Sequence, residues 1–554
     1  MNTALLQRTA AALCAAVTLA STAACTSGGM PGAAQVAGAG DPYYPALGNA
    51  GYRAAHYTLD LSVDPVRGAL AGTARIQARS TRPVASFSLD LAGLTVRQVT
   101  VDGRPATAAR TRDKLVITPL DPIPAGRAFQ VTIAYAGTPR PIADPSGDST
   151  GAALVGWHHD GDEVYVASET AGARTWYPVN DTPADKASYT FRVTVPAGYT
   201  AVANGLPTAR SGSGRTTTFT WQSTAPMASY LATLEVGRFT PLTGAGPRGL
   251  PILTYAPAAL AGPTRRTLAD LPEIIGYFES VLGPYPFPAA GVTVVSPAFR
   301  WSLETQTRPL FGSQLLTLPA DVAQEGISHE LAHQWFGDSL TPAYWSDIWL
   351  NEGFATYLSW LWLEHHGERG FLTGLMRSQY GYERNASDFA ALLEHPDLPP
   401  AQVLAVLRRQ FQPSGQAVPD AQILAAMGLT SVSQLTSRKA LGLLGIKPGS
   451  ADAAAYLEAA RSSAPAAPPP GDLFSTAVYA RGAMTLQALR VRVGDPVFFR
   501  ILRTYAARYR YGNVTTKDFI AVAEQVSGQH LNAFFTTWLY APAAPPLPPL
   551  LPTQ

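Results

Sequence analysis

The hydrophobic pattern changes period along the chain. From about 52 to 246, apolar positions alternate with polar ones. Tyr57, Leu59, Leu61 and Val63 form one such run, and Tyr189, Phe191, Val193 and Val195 form another. A period of two marks a strand with one buried face. Further strand-like runs lie at 129–135, 217–221 and 230–236, with turn signals such as Val101-Asp102-Gly103-Arg104 and Asn204-Gly205 between them. Repeated half-buried strands predict an antiparallel, sandwich-like domain. From about 250 onward the pattern mixes strands and helices. Leu268, Leu271, Ile274, Ile275, Phe278 and Leu282 predict one helix over 264–282, stopped by Pro284, Pro286 and Pro288. A short buried strand is expected at 292–295, and an apolar helix over 349–362. Helix-like stretches follow at 401–410, 419–427, 451–460, 474–492, 497–509 and 516–526, with Thr515 or Thr516 as a cap, and 429–446 reads as a small helical hairpin.

The ends read differently. Arg8 precedes a short apolar run at 9–20, too short to span a bilayer, and small residues lead to Cys25. Residues 1–25 resemble a bacterial lipoprotein signal, with Cys25 as the lipid-bearing new N-terminus; Thr22 stands where that pattern has Leu. Ordinary secretion is the alternative. The expected location is outside the cytoplasm, on the outer face of the bacterial cytoplasmic membrane or secreted. Residues 26–44 are Gly/Ala-rich and read as a flexible tether, and 542–554 as a Pro-rich tail. The only cysteines are Cys14 and Cys25, so the mature chain has neither an internal disulfide nor a cysteine metal site. A net charge of +2 over 554 residues gives no electrostatic footprint for nucleic acid.

The chemistry sits in His329-Glu330-Leu331-Ala332-His333 and Asn351-Glu352-Gly353. Two histidines four apart on a helix lie on one face, so both imidazoles reach one Zn²⁺. Glu330 is near that metal and free to handle protons. Catalytic zinc takes three protein ligands and leaves a fourth position open; Glu352, on the first turn of the 349–362 helix, is the third. One zinc per chain is expected. The bland alternative is a surface pair of histidines with an unrelated acid.

The neighbours carry a resemblance. His-Glu-x-x-His, eighteen residues, then Glu, set within Gln334-Trp335-Phe336-Gly337-Asp338 and Trp349-Leu350-Asn351-Glu352-Gly353-Phe354, resembles the zinc aminopeptidases of the aminopeptidase N family, which includes leukotriene A4 hydrolase. The resemblance implies an α+β multidomain fold, with a saddle-shaped N-terminal β domain before a thermolysin-like α/β peptidase domain. It also implies roles for three further positions. Trp301-Ser302-Leu303-Glu304-Thr305 resembles the exopeptidase signature Gly-x-Met-Glu-Asn, of which Glu304 survives to pair with a substrate ammonium. Glu169, in the loop 168–178, matches the family residue that helps hold the free α-amine; a solvated loop acid is the alternative. Val478-Tyr479-Ala480-Arg481-Gly482 resembles the family's Tyr-x-Lys-Gly helix start, whose tyrosine faces the scissile carbonyl; on periodicity alone Tyr479 is equally a core aromatic. The family spacing from the zinc glutamate to that tyrosine is shorter than here, so 380–471 reads as a helical insertion.

The expected organisation is thus signal 1–25, tether 26–44, β domain 45–247, catalytic domain 248–541 with the insertion at about 380–471, and tail 542–554. The expected function is removal of N-terminal residues from peptides by a zinc enzyme attached to the membrane through its lipid anchor. Its rivals are an endopeptidase or other hydrolase on the same site, and an inactive lipid-anchored peptide-binding protein.

Overall fold

The computed structural model describes residues 38–147, 154–212, 214–367, 370–411, 418–461, 464–541 and 544–547. The leader, Cys25 and most of the tether and tail lie outside the described residues. Where the tether enters them it is folded: Asp41 and Tyr44 are buried, and the Asp41 carboxylate accepts from the backbone N–H groups of Tyr43, Tyr44 and Trp345. The expectation of a free tether up to residue 44 is corrected on this point, because a buried carboxylate with three donors fixes its own backbone.

The first half is β. An eight-stranded sheet runs in the order Leu206–Gly212, Thr216–Met227, Ala187–Pro196, Tyr52–Asp64, Ala69–Ser80, Ala128–Gly137, Thr95–Val101 and Arg104–Pro105. It is antiparallel except at its centre, where Tyr52–Asp64 and Ala187–Pro196 pair in parallel, His56 against Ser188. The long chain between those two strands permits that return. Tyr57, Leu59, Leu61 and Val63 point into the core, as the alternation predicts. A three-stranded sheet and a five-stranded sheet containing Leu154–Asp160 and Glu163–Ala167 complete this part.

A second five-stranded sheet has the order Phe239–Ala245, Pro251–Pro257, Thr293–Val295, Leu310–Gly312 and Ser302–Leu303. Its first two strands form a hairpin, so a domain boundary at 247/248 would cut through a turn; the change of sheet comes at Gly237–Phe239. Gly246-Pro247-Arg248-Gly249 has the composition of a linker and does the work of a tight turn. Next to this sheet come α1 (Ala261–Thr267), α2 (Leu271–Leu282), α3 (Ala320–His333) and α4 (Trp349–His365); α1 and α3 meet its strands, and α2 and α4 pack against α3. The single helix expected over 264–282 is two, because Pro272 starts a new helix after a break at Leu268.

Beyond α4 come α5 (Phe371–Glu394), α6 (Pro400–Phe411), α7 (Asp420–Ala426), α8 (Ser437–Leu443), α9 (Ala451–Arg461), α10 (Gly482–Val493), α11 (Asp495–Arg508), α12 (Thr516–Ser527) and α13 (Asn532–Leu539). Helix α5 runs unbroken through residue 380, the expected start of the insertion. The expected hairpin at 429–446 holds one α-helix, α8, after a 3₁₀ turn. Leu392, Val403, Leu407, Ile423, Leu424, Leu435 and Leu441 form a small core apart from the main one. The main core is continuous from the first sheet to α13. Thr515 caps α12 in a reciprocal pair with Asp518. No helix among the described residues is long and apolar enough to cross a membrane.

Candidate functional site

Helix α3 presents His329, Glu330 and His333 near its C-terminal end, and α4 presents Glu352 on its first turn. The two Nε2 atoms are 3.0 Å apart, and Glu352 Oε2 lies 3.2 Å from that of His329 and 3.4 Å from that of His333. The Nδ1–H of His333 donates to the Phe336 carbonyl at 3.1 Å, which turns Nε2 toward the site as the atom that can bind a metal. Two imidazole nitrogens and one carboxylate oxygen, facing inward, form a His₂Glu donor set of the kind catalytic zinc uses. Charge agrees. Burial disfavours a proton on His333, yet Glu352, Glu304 and Glu330 outweigh it and raise its pKa to about 10. Burial likewise opposes charge on Glu352, but His333 and the hydrogen bond to His329 overcome it and hold the carboxyl down at about 2. This is a site short of positive charge, and a divalent cation fits it.

Two glycines allow the close packing. The Gly353 Cα is so near α10 that a Cβ on Gly482 would sit 2.8 Å from it. That contact brings the start of α10, and Tyr479 in the π-helical turn Ala477–Arg481, beside Glu352. The Tyr479 ring stacks over His329 at 6.1 Å between centroids. Arg481, where the family has Lys, is buried and donates to the Trp538 and Thr537 carbonyls at the end of α13, anchoring the turn.

Glu304 follows the edge strand Ser302–Leu303. Gln334, one residue beyond His333, donates to the Glu304 carbonyl at 3.1 Å and accepts from the Thr307 N–H at 2.8 Å. The end of the zinc helix thereby holds the signature segment in place. Glu169 arrives from the β domain, and its neighbour Thr170 donates to Asp144 at 3.1 Å. Glu169, Glu304 and Glu352 each place a carboxylate oxygen within 4.8 Å of the others. Glu352 thus belongs to both the histidine group and this acid group. Glu304 Oε1 and Glu169 Oε1 are buried with no hydrogen-bond partner among the described residues. Burial and the other carboxylates push Glu169 well above the usual range; burial pushes Glu304 up to about 7, against the pull of His333. Burial raises Glu330 to about 7 against the two histidines. These acids open onto a cavity of about 740 Å³ walled by Tyr165, Phe299, Trp301, Leu303 and Phe474.

The structure therefore brings together His329, Glu330, His333, Glu352, Glu304, Glu169 and Tyr479 from five separate parts of the chain; Cys25 lies outside the described residues. The sequence reading passed over Asp144, which holds the Glu169 loop, and Ser302, whose hydroxyl donates to Glu330 Oε1 at 2.7 Å. Neither carries a local signal, because each acts across 26 or 28 residues of chain.

Residues 53–231 match the family model "Peptidase M1 N-terminal domain", and residues 274–395 and 449–538 match "Peptidase family M1 domain". The chain belongs to peptidase family M1. In this M1 peptidase the match passes over 396–448, so the insertion is shorter than 380–471 and coincides with the separate small core. Aminopeptidase N of Acetobacter pasteurianus is 29% identical over 329 residues, 54% of this chain and 88% of that protein. Aminopeptidase M1-B of Oryza sativa subsp. japonica is 24% identical over 67% of this chain, which spans only 36% of the rice protein. Leukotriene A-4 hydrolase of Xenopus laevis is 28% identical over 55% of this chain and 50% of its own length. Among solved structures, an M1 zinc metallopeptidase variant from Deinococcus radiodurans bound to a Tyr-Ser-Ala substrate superposes with a TM-score of 0.69 at 26% identity, covering 92% of this chain and all of that one. The family and these neighbours imply a single catalytic zinc.

Proposed function

We propose that the chain is a zinc aminopeptidase that hydrolyses the first peptide bond of peptides with a free N-terminus. The observation that carries this reading is the shared Glu352: one carboxylate ties the metal-ligand group to two acids with unpartnered oxygens. A substrate ammonium held there lies about one residue from the metal, which selects the first peptide bond. His329, His333 and Glu352 would hold the zinc. When bound, zinc supplies Lewis acidity to the scissile carbonyl and lowers the pKa of the attacking water. Glu330 takes the water's proton and delivers it to the leaving amine. Tyr479 donates to the oxyanion that develops on the carbonyl. Glu304 and Glu169 accept from the α-ammonium. The apolar cavity walls exclude water and strengthen each of these contacts. The test is chelation followed by readdition of zinc, assayed on a free-amine peptide. Activity should vanish and return; activity that survives complete metal removal refutes the reading.

The same proposal places the enzyme outside the cytoplasm, anchored through lipid on Cys25. What supports this is the short apolar run ending in small residues and cysteine. Cys25→Ser should block processing or release the protein from membranes. A wild-type protein found wholly soluble outside the cell would leave secretion in its place.

A further inference from the structure

Ser302 occupies the unspecified position of the exopeptidase signature, so nothing in that pattern assigns it a task. In the structure it lies on the edge strand Ser302–Leu303, paired antiparallel with Leu310–Gly312 so that Ser302 faces Phe311. Its hydroxyl reaches across to α3 and donates to Glu330 Oε1 at 2.7 Å. Among the described residues this is the one hydrogen bond to the Glu330 carboxylate, which is buried at 6% exposure. A glutamate on a helix has three side-chain torsions to fix, and an untethered carboxylate in a cavity samples several rotamers. A single neutral donor on one oxygen chooses one of them and leaves the other oxygen for a proton in transit.

We infer that Ser302 is a positioning residue for the reaction: its hydroxyl holds Glu330 in the orientation that accepts a proton from the attacking water. The inference rests on the reading of Glu330 as the general base. It assigns the signature segment two tasks, since Glu304, just past the strand, addresses the substrate amine and Ser302, on the strand, aims the base. The segment that receives the substrate then also sets the geometry of proton transfer.

The experiment compares Ser302→Ala and Ser302→Thr with the wild-type holoenzyme, measuring zinc content, kcat and KM on one free-amine peptide. A charge-assisted hydrogen bond of this kind corresponds to about a ten-fold change in rate. Ser302→Ala should lower kcat by about that factor, with KM within about two-fold and zinc retained. Ser302→Thr keeps a hydroxyl on a β-branched residue suited to a strand and should restore most of kcat. In a Glu330→Gln background, Ser302→Ala should add no further loss, because two residues acting as a unit are not additive. Wild-type kcat in Ser302→Ala, a change confined to KM, or failure of threonine to restore kcat overturns the inference while leaving Glu330 as the base. Wild-type turnover in Glu330→Gln overturns the general-base reading itself, and the inference with it.

Discussion

The helices around the site and the segment 396–448 both pack apolar side chains into a core, yet they bury different things: α4 is enclosed on every side from Trp349 to Leu363 and α10 from Gly482 to Leu489. Around α3, α4 and α10 the main core encloses Glu304, Glu330, His333, Gln334, Asp338, Asn351 and Glu352. Between 396 and 448 the small core is Leu, Val, Ile and Ala, and the buried polar side chain among its described residues is Ser437, whose hydroxyl donates to the His395 carbonyl at 2.7 Å. Buried carboxylates are costly unless something pairs with them. A region that keeps several with oxygens unpartnered is built around cations it expects, here a metal and an ammonium. A region that keeps none is built for its own stability. That contrast, and not helix content, tells the catalytic part from the added part.

The comparison can be broken from either side. His333→Ala removes a ligand from the inward-facing set, and should abolish zinc binding and with it turnover; metal analysis of the purified variant reads this directly. Glu330→Gln should keep zinc and lower kcat by about 10²–10⁴-fold, the usual scale of a general base, as steady-state assays would show. Glu304→Ala should keep zinc and the fold and reduce kcat/KM on free-amine peptides by about ten- to a hundred-fold, from loss of a charge-assisted contact. Leu407→Ala, in the small core, should do the reverse. It should destabilise the insertion by about 2–5 kcal/mol in a denaturation experiment, while kcat/KM stays within about two-fold of wild type. A large loss of activity from Leu407→Ala with the zinc site intact would erase the distinction between the two regions.

What was legible in the sequence follows the range of each interaction. The four-residue spacing of His329 and His333 and the first-turn place of Glu352 are local helix geometry, and the structure brings these residues together. Alternation in Tyr52–Asp64 likewise reports its buried face. The hairpin turn at 246–249 was misjudged as a boundary because turn and linker share a composition. Helix α5 carries no punctuation at residue 380, so the sequence holds no local mark of where the unmatched segment 396–448 begins. Ser302 left no trace, since its partner lies on another element and any small residue satisfies the motif at that place. Glu169 was found only through resemblance: its loop is set by Gly156 and Gly172, where a Cβ on Gly172 would lie 2.5 Å from the Gly156 nitrogen, a contact no local pattern encodes.

The central claim is that two acids beside one zinc make this an exopeptidase. It is tested most directly by giving the holoenzyme one peptide with a free N-terminus and the same peptide acetylated. The free α-amine is cationic in large part near pH 7, and the acetylated one is not. Stepwise release of N-terminal residues from the first, with the second left intact, is the predicted result. Equal cleavage of both would contradict the account.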